Sequence, residues 1–222
     1  MHINSDFSQR VVIHPEDYQW VDSPMPGVER MMLDRIGDEV ARATSLVRYA
    51  PNSTFSPHVH SGGEEFFVLE GEFGDEHSMY PAGTYVRNPI GTSHSPRVGD
   101  AGCIILVKLR QFDKEDTTPV IIDTHTAKWS PQYAPGLDVM PLHQFRNENV
   151  ALIRSAPNNS FDEHTHSGGE EVFVIDGCFC DEHGEYPAGT WLRNPDQSNH
   201  SAFTRDEGVL LYVKAGHLPA IE

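Results

Sequence analysis

The stretch His58-Val-His60-Ser-Gly-Gly-Glu64, with His94 thirty residues beyond its end, gathers side chains that hold divalent metals. The same four types return at a constant offset of 106 positions as His164, His166, Glu170 and His200. Imidazole is neutral near physiological pH and can bind a metal through one nitrogen while an acceptor holds the other. Three such nitrogens and one carboxylate oxygen suit zinc, iron, nickel or manganese. The set can close a tetrahedral zinc site of structural type. It can also fill part of an octahedron and leave positions for water, oxygen or a chelating substrate. Glu65 and Glu171 compete for the carboxylate role, and their spacing to Gly71 and Gly177 favours the first glutamate of each pair.

Positioning these side chains requires strands. Two histidines at i and i+2 on an extended segment point to one face. A turn at Gly62-Gly63 would bring the glutamate round to join them, because glycine tolerates unusual backbone angles. A distant strand must deliver His94. The chain reads as such strands throughout: Ser45–Tyr49, Glu64–Glu70, Thr84–Arg87 and Cys103–Leu109, then Val150–Ser155, Glu170–Asp176, Thr190–Arg193 and Val209–Lys214. Most are β-branched or aromatic and end at glycine or proline turns. A helix is predicted only over Met31–Arg42, where Asp34, Glu39 and Arg42 share a side.

An internal repeat sets the domain organisation. Arg48–Phe112 and Arg154–Leu218 align without a gap, and Trp20…Gly27 lies opposite Trp129…Gly136 at an offset of 109. Val11–Ile13 mirrors Val120–Ile122. The charged stretch Gln111–Thr118 reads as a linker, which predicts domains over residues 1–112 and 113–222, each an antiparallel β-barrel.

Composition bounds the rest. The 222 residues are 38% hydrophobic and carry a formal charge of −17. That charge disfavours nucleic acid and anionic membranes as partners, because both would be repelled. No apolar run has the length of a membrane span and the N-terminus lacks the segments of a signal peptide, so a cytoplasmic location is expected. Cys103, Cys178 and Cys180 make no disulfide framework and read as core or surface thiols. Cys178 and Cys180 can share a strand face, so redox sensing by this pair stays open. Arg87 and Arg193 read as partners of the nearby Asp-Glu turns, or as anchors for a carboxylate or peroxide. Tyr80, Tyr85, Tyr186 and Trp191 read as core or pocket lining. His77 and His183 read as exposed turn residues, and Phe66, Val68, Val172 and Val174 as barrel interior.

The pattern His58-x-His60-x3-Glu64-x6-Gly71, followed by Gly83-x5-Pro89-x-Gly91-x2-His94, resembles the two signature motifs of the cupin superfamily. The second copy repeats it, with Gln197 in place of one glycine; Asn52 and Asn158 replace another. The short spacing between the motifs, with Phe73-Gly-Asp-Glu and Phe179-Cys-Asp-Glu, is most similar to the ChrR-like cupins, named after an anti-sigma factor of the extracytoplasmic-function type. The resemblance spans both copies. It implies an all-β bicupin of two tandem double-stranded β-helix (jelly-roll) barrels. One divalent metal, zinc first, would lie on His58, His60, Glu64 and His94, and another on His164, His166, Glu170 and His200. It further implies regulation or sensing of singlet-oxygen or peroxide stress, with an extracytoplasmic sigma factor or another regulatory protein as partner. The family's anti-sigma zinc domain has no counterpart here, since residues 1–47 contain no cysteine. The alternative it implies is a non-haem dioxygenase binding a small ketone or diketone at the metal. A bicupin of this kind is expected as a monomer or homodimer, because its two barrels can pack as two subunits would.

Overall fold

Where a helix is predicted, the chain forms a hairpin. Val28–Gly37 and Ala41–Tyr49 pair antiparallel from Val28 opposite Tyr49 to Gly37 opposite Ala41. Gly37 takes φ of 115°, which a side chain would resist. Asp34 and Arg42 do lie close, with Nη1 3.6 Å from Oδ1, but they meet across the hairpin. Asp34 is fully buried and accepts the Thr44 backbone N–H at 3.0 Å. Backbone pairing runs the length of the two strands with one irregularity between Met32 and Asp34, and that pairing overrides local helix propensity.

The computed structural model describes residues 1–219, with side chains at all of these except 131–133. Among the described residues, the rest is strand and turn apart from one 3-10 turn at Pro15–Asp17. Among the described residues no helix is long and apolar enough to cross a membrane. Two compact units form, Met1–Ser5 with Gln19–Ala127, and Asp6–Tyr18 with the chain from Lys128 onward. The sheet of the first unit has nine strands and that of the second eight, and each unit adds a two-stranded ribbon.

The units are not the sequence halves 1–112 and 113–222. Val120–Asp123 pairs with Thr84–Asn88 as an edge strand of the first unit. Val11–Ile13 pairs with Trp191–Asn194 as an edge strand of the second. The two repeat copies have exchanged their first strands. Either pairing satisfies the same backbone groups, so the repeat alone does not choose between them.

Each core lies on the inward face of its sheet. Phe66, Val68, Phe73, Ile105 and Val107 form it in the first unit, and Val172, Val174, Phe179, Leu211 and Val213 in the second. Asn52, Asn158 and Gln197 replace the glycines of the resembled motif and adopt the required left-handed backbone, at φ of 57°, 54° and 61°. Those turns survive the substitutions.

Candidate metal centres

The ribbon His58–Val59 pairs with Ser93–His94, and the register sets His94 directly opposite His58. His60 follows on the same face. Gly63, at φ of 78°, turns the chain into the strand Glu64–Gly74. Glu64 then shares its face with Phe66 and Val68, looking into the core, while Glu65 looks away. A Cβ on Gly63 would collide with the Phe112 ring. We expect Gly63→Ala to destabilise the first unit by about 2 kcal/mol, combining left-handed strain with the clash. A melting curve within error of the wild type would rule this out.

Four donor atoms converge. His58 Nε2 is 3.2 Å from His94 Nε2, and Glu64 Oε1 is 3.4 Å from His60 Nε2 and 3.6 Å from His94 Nε2. All four lie within 4.8 Å of one another. Ligands each about 2.1 Å from a shared ion stand about 3.0–3.5 Å apart, so the spacing fits a single divalent metal. The hydrogen bonds fix the tautomer of His60. The Thr92 hydroxyl gives its one proton to the Pro89 carbonyl at 2.7 Å, so it accepts from His60 Nδ1–H at 2.9 Å. His60 Nε2 is left buried, unprotonated and without a hydrogen-bond partner, aimed at the other donors. Such an atom is costly unless a cation meets it.

The electrostatics agree. Burial, then His94 and His58, pull His60 down to about 3; burial and His58 pull His94 down to about 4. Both rings therefore stay neutral, as metal binding requires. Burial pushes the metal-free Glu64 carboxyl up to about 7. A proton thus competes with metal at Glu64, and affinity of the first site should fall about tenfold per unit below pH 7. The sign reverses for the metal-free protein. Its folded form holds this proton above the ordinary value of 4.5, so it loses stability as pH rises toward 7. Calorimetric titrations from pH 5.5 to 8 check the first slope, and Glu64→Gln should flatten it.

The second unit repeats the set with differences. His164 pairs opposite His200. His164 Nδ1–H donates to the Asp162 carbonyl at 3.0 Å, and its Nε2 lies 3.2 Å from His200 Nε2. His166 Nε2 lies 3.0 Å from His200 Nε2. The three histidines form a compact group that does not include Glu170. Glu170 Oε1 accepts from Asn194 Nδ2 at 3.1 Å, and Oε2 sits 3.4 Å from His166 Nδ1. The Ser198 hydroxyl, which stands where Thr92 stands in the first copy, is buried without a partner. A flip of the His166 ring would give Ser198 that partner and turn a bare nitrogen toward Glu170. Burial lowers His200, but Asp181, whose Oδ2 is 3.6 Å from Nδ1, and Glu170 outweigh it and the net direction is up.

The remaining sequence expectations sort by face. Arg87 pairs with Glu65 and, at 2.6 Å, with Asp116, because its side chain lies on the Glu65 face of the sheet, opposite Val86 and the core. Glu65 also accepts from Tyr85 at 2.9 Å, and Glu171 accepts from Trp191 at 3.3 Å and sits 2.9 Å from His217. Arg193 donates to the Asp6 carbonyl at 2.9 Å. Tyr80 and Tyr186 hold Asp75 and Asp181 through their hydroxyls. His77 and His183 are exposed. Cys178 and Cys180 sulfurs stand 3.8 Å apart, and burial, then Cys178, pushes the Cys180 thiol up to about 12.

The fold is shared with solved structures of low identity. A provisionally named dioxygenase from Nostoc punctiforme superposes with a TM-score of 0.79 at 17% identity, covering 96% of this chain and 85% of that one. A provisionally named glyoxylate-induced protein from Pseudomonas aeruginosa gives 0.76 at 14% identity, over 96% and 91%. Lactobacillus farciminis oxalate decarboxylase, in complex with formate, gives 0.64 at 12% identity, over 94% and 87%. These likenesses concern the fold alone. No curated protein sequence matches the chain. The ChrR cupin-like domain matches twice, over residues 8–113 and 117–219, and takes in nearly the whole sequence. Repeated His-His-Glu-His sets on jelly-roll sheets, together with that double match, place the chain in the ChrR cupin-like domain family.

Proposed function

We propose that the chain is a two-site divalent-metal protein whose metals bind and transform a small organic molecule, as a non-haem dioxygenase acting on a ketone or diketone would. The observation that carries this reading is the second unit's cavity of about 690 Å³, which is lined by His164, His166, Glu170 and His200. A metal kept only for structure needs no such space beside it. Iron held by these residues would supply oxygen activation for a dioxygenation, which needs no external reductant. The chain's own residues set geometry. The Asp162 carbonyl orients His164, Asn194 restrains Glu170, and the apolar walls exclude water.

A second reading draws on the family match: a stress-responsive regulator in which ligand or oxidant at the zinc changes a surface seen by a partner such as an extracytoplasmic sigma factor. Elemental analysis of protein purified without added metal separates the two. Iron near one equivalent per site supports the enzyme, and zinc the regulator. Iron-loaded protein should consume oxygen with small ketones or diketones; a blank panel would sink the enzymatic reading. Failure of any sigma factor to bind at micromolar concentration would sink the regulatory one.

A further inference from the structure

The two sites differ in what surrounds them. The cavity at the first is about 180 Å³; apolar side chains such as Val47, Tyr49 and Leu109 line it together with the charged Arg30, Arg35 and Glu39 and with His58 and Glu64. The cavity at the second is nearly four times larger and mostly apolar, with Val139, Ile153, Phe161, Leu211 and Val213 in its walls. Aligned repeat positions show how the difference is built. Tyr49, Phe66 and Leu109 of the first unit correspond to Ser155, Val172 and Ala215 of the second. The first three fill space. Tyr49 packs on Phe55 and Phe73 at ring separations of 5.3 and 5.1 Å, and Phe66 on Phe73 at 5.1 Å. Their smaller counterparts all line the second cavity. Matched strand pairings also set Arg30, opposite Val47, in the place that Val139, opposite Ile153, takes in the second unit. Three losses of volume and one loss of charge around a single histidine cluster make a built pocket, since protein interiors otherwise pack closely.

We propose that the second unit binds a molecule with a two-oxygen chelating head and an apolar tail of several carbons, its tail in the space left by Ser155, Val172 and Ala215. The first unit's smaller cavity, narrowed by Tyr49 and Leu109, leaves no room for such a tail at its metal. This rests on the reading that both sets hold metal, and it specifies the substrate class for one of them. The head follows from the histidines and carboxylate at one part of the wall, and the tail from the apolar remainder.

The test titrates the full-length zinc-loaded protein calorimetrically with acetohydroxamate and octanohydroxamate, which share a head and differ in tail. Octanohydroxamate should bind one equivalent per chain at least tenfold more tightly than acetohydroxamate, since each buried methylene adds favourable transfer energy. The triple change Ser155→Tyr, Val172→Phe and Ala215→Leu installs the first unit's side chains. It should erase the tail preference while metal content and acetohydroxamate binding persist. Should the triple variant fail to fold, Ala215→Leu alone should cut the preference at least threefold. Equal affinities for the two probes in the wild type, two equivalents of octanohydroxamate, or a preference that survives these substitutions would overturn the proposal. Elemental analysis before titration distinguishes that outcome from failure of the underlying reading, in which the protein takes up no metal at all.

Discussion

Replacing His58 and His60 together by alanine is expected to reduce bound metal from two equivalents per chain to one. The remaining pair, His94 and Glu64, offers one nitrogen and one oxygen, too few to hold a divalent ion against water. The second set shares no donor with the first, so His164, His166 and His200 should keep theirs. Loss of the ion also removes its contribution to folding, about 2.7 kcal/mol when free metal stands at a hundredfold over Kd. The first unit should therefore melt earlier while the second does not. Inductively coupled plasma analysis of the dialysed variant reads the stoichiometry. Wild-type metal content in this variant would show that the assigned residues are not the ligands.

An effect of similar size is expected at a place with no part in metal binding. Arg87 is fully buried between Glu65 and Asp116, both fully or nearly buried themselves, and its guanidinium also lies over the Phe112 ring at 3.9 Å. Arg87→Met keeps most of the volume but removes the charged partner of two buried carboxylates. Breaking a buried pair in this way costs about 4 kcal/mol, and the melting temperature should fall on the order of 10 °C. Metal content should not change. The paired glutamates then separate cleanly. Glu65→Gln should lower stability and leave metal binding intact, whereas Glu64→Gln should weaken metal binding at the first site. If the two substitutions behaved alike, the assignment of opposite faces would fail.

Much of the site was legible before any coordinates. The spacing His-x-His-x3-Glu, repeated 106 residues later, required one turn and one partner strand, and the structure supplies both. Choosing between Glu64 and Glu65 was only weakly constrained, because the Gly62-Gly63 turn resets the strand's parity. Only the shared face with Phe66 and Val68 decides it. The fold class also followed from the strand-turn texture. The hairpin around Gly37 did not, since Asp34, Glu39 and Arg42 mimic one side of a helix and the pairing partner that overrides this is a neighbouring strand. The partners of Arg87 are not legible in the sequence, because proximity along the chain is visible and sheet face is not. The second cavity, by contrast, had left a readable trace: Tyr49, Phe66 and Leu109 opposite Ser155, Val172 and Ala215 at aligned positions.

The crossed-over edge strands govern how this protein can be taken apart. A chain cut between residues 112 and 113 leaves each fragment holding its sibling's border, with Val11–Ile13 on one piece and Val120–Asp123 on the other. Either fragment expressed alone must seat its own copy of that strand where its sibling's sits in the whole chain, or leave backbone groups unpaired along the edge, the condition that invites aggregation. Produced together, they can trade those borders back. In the whole chain each copy's sheet is closed at one edge by a strand from the other, so a break between the copies is felt in both.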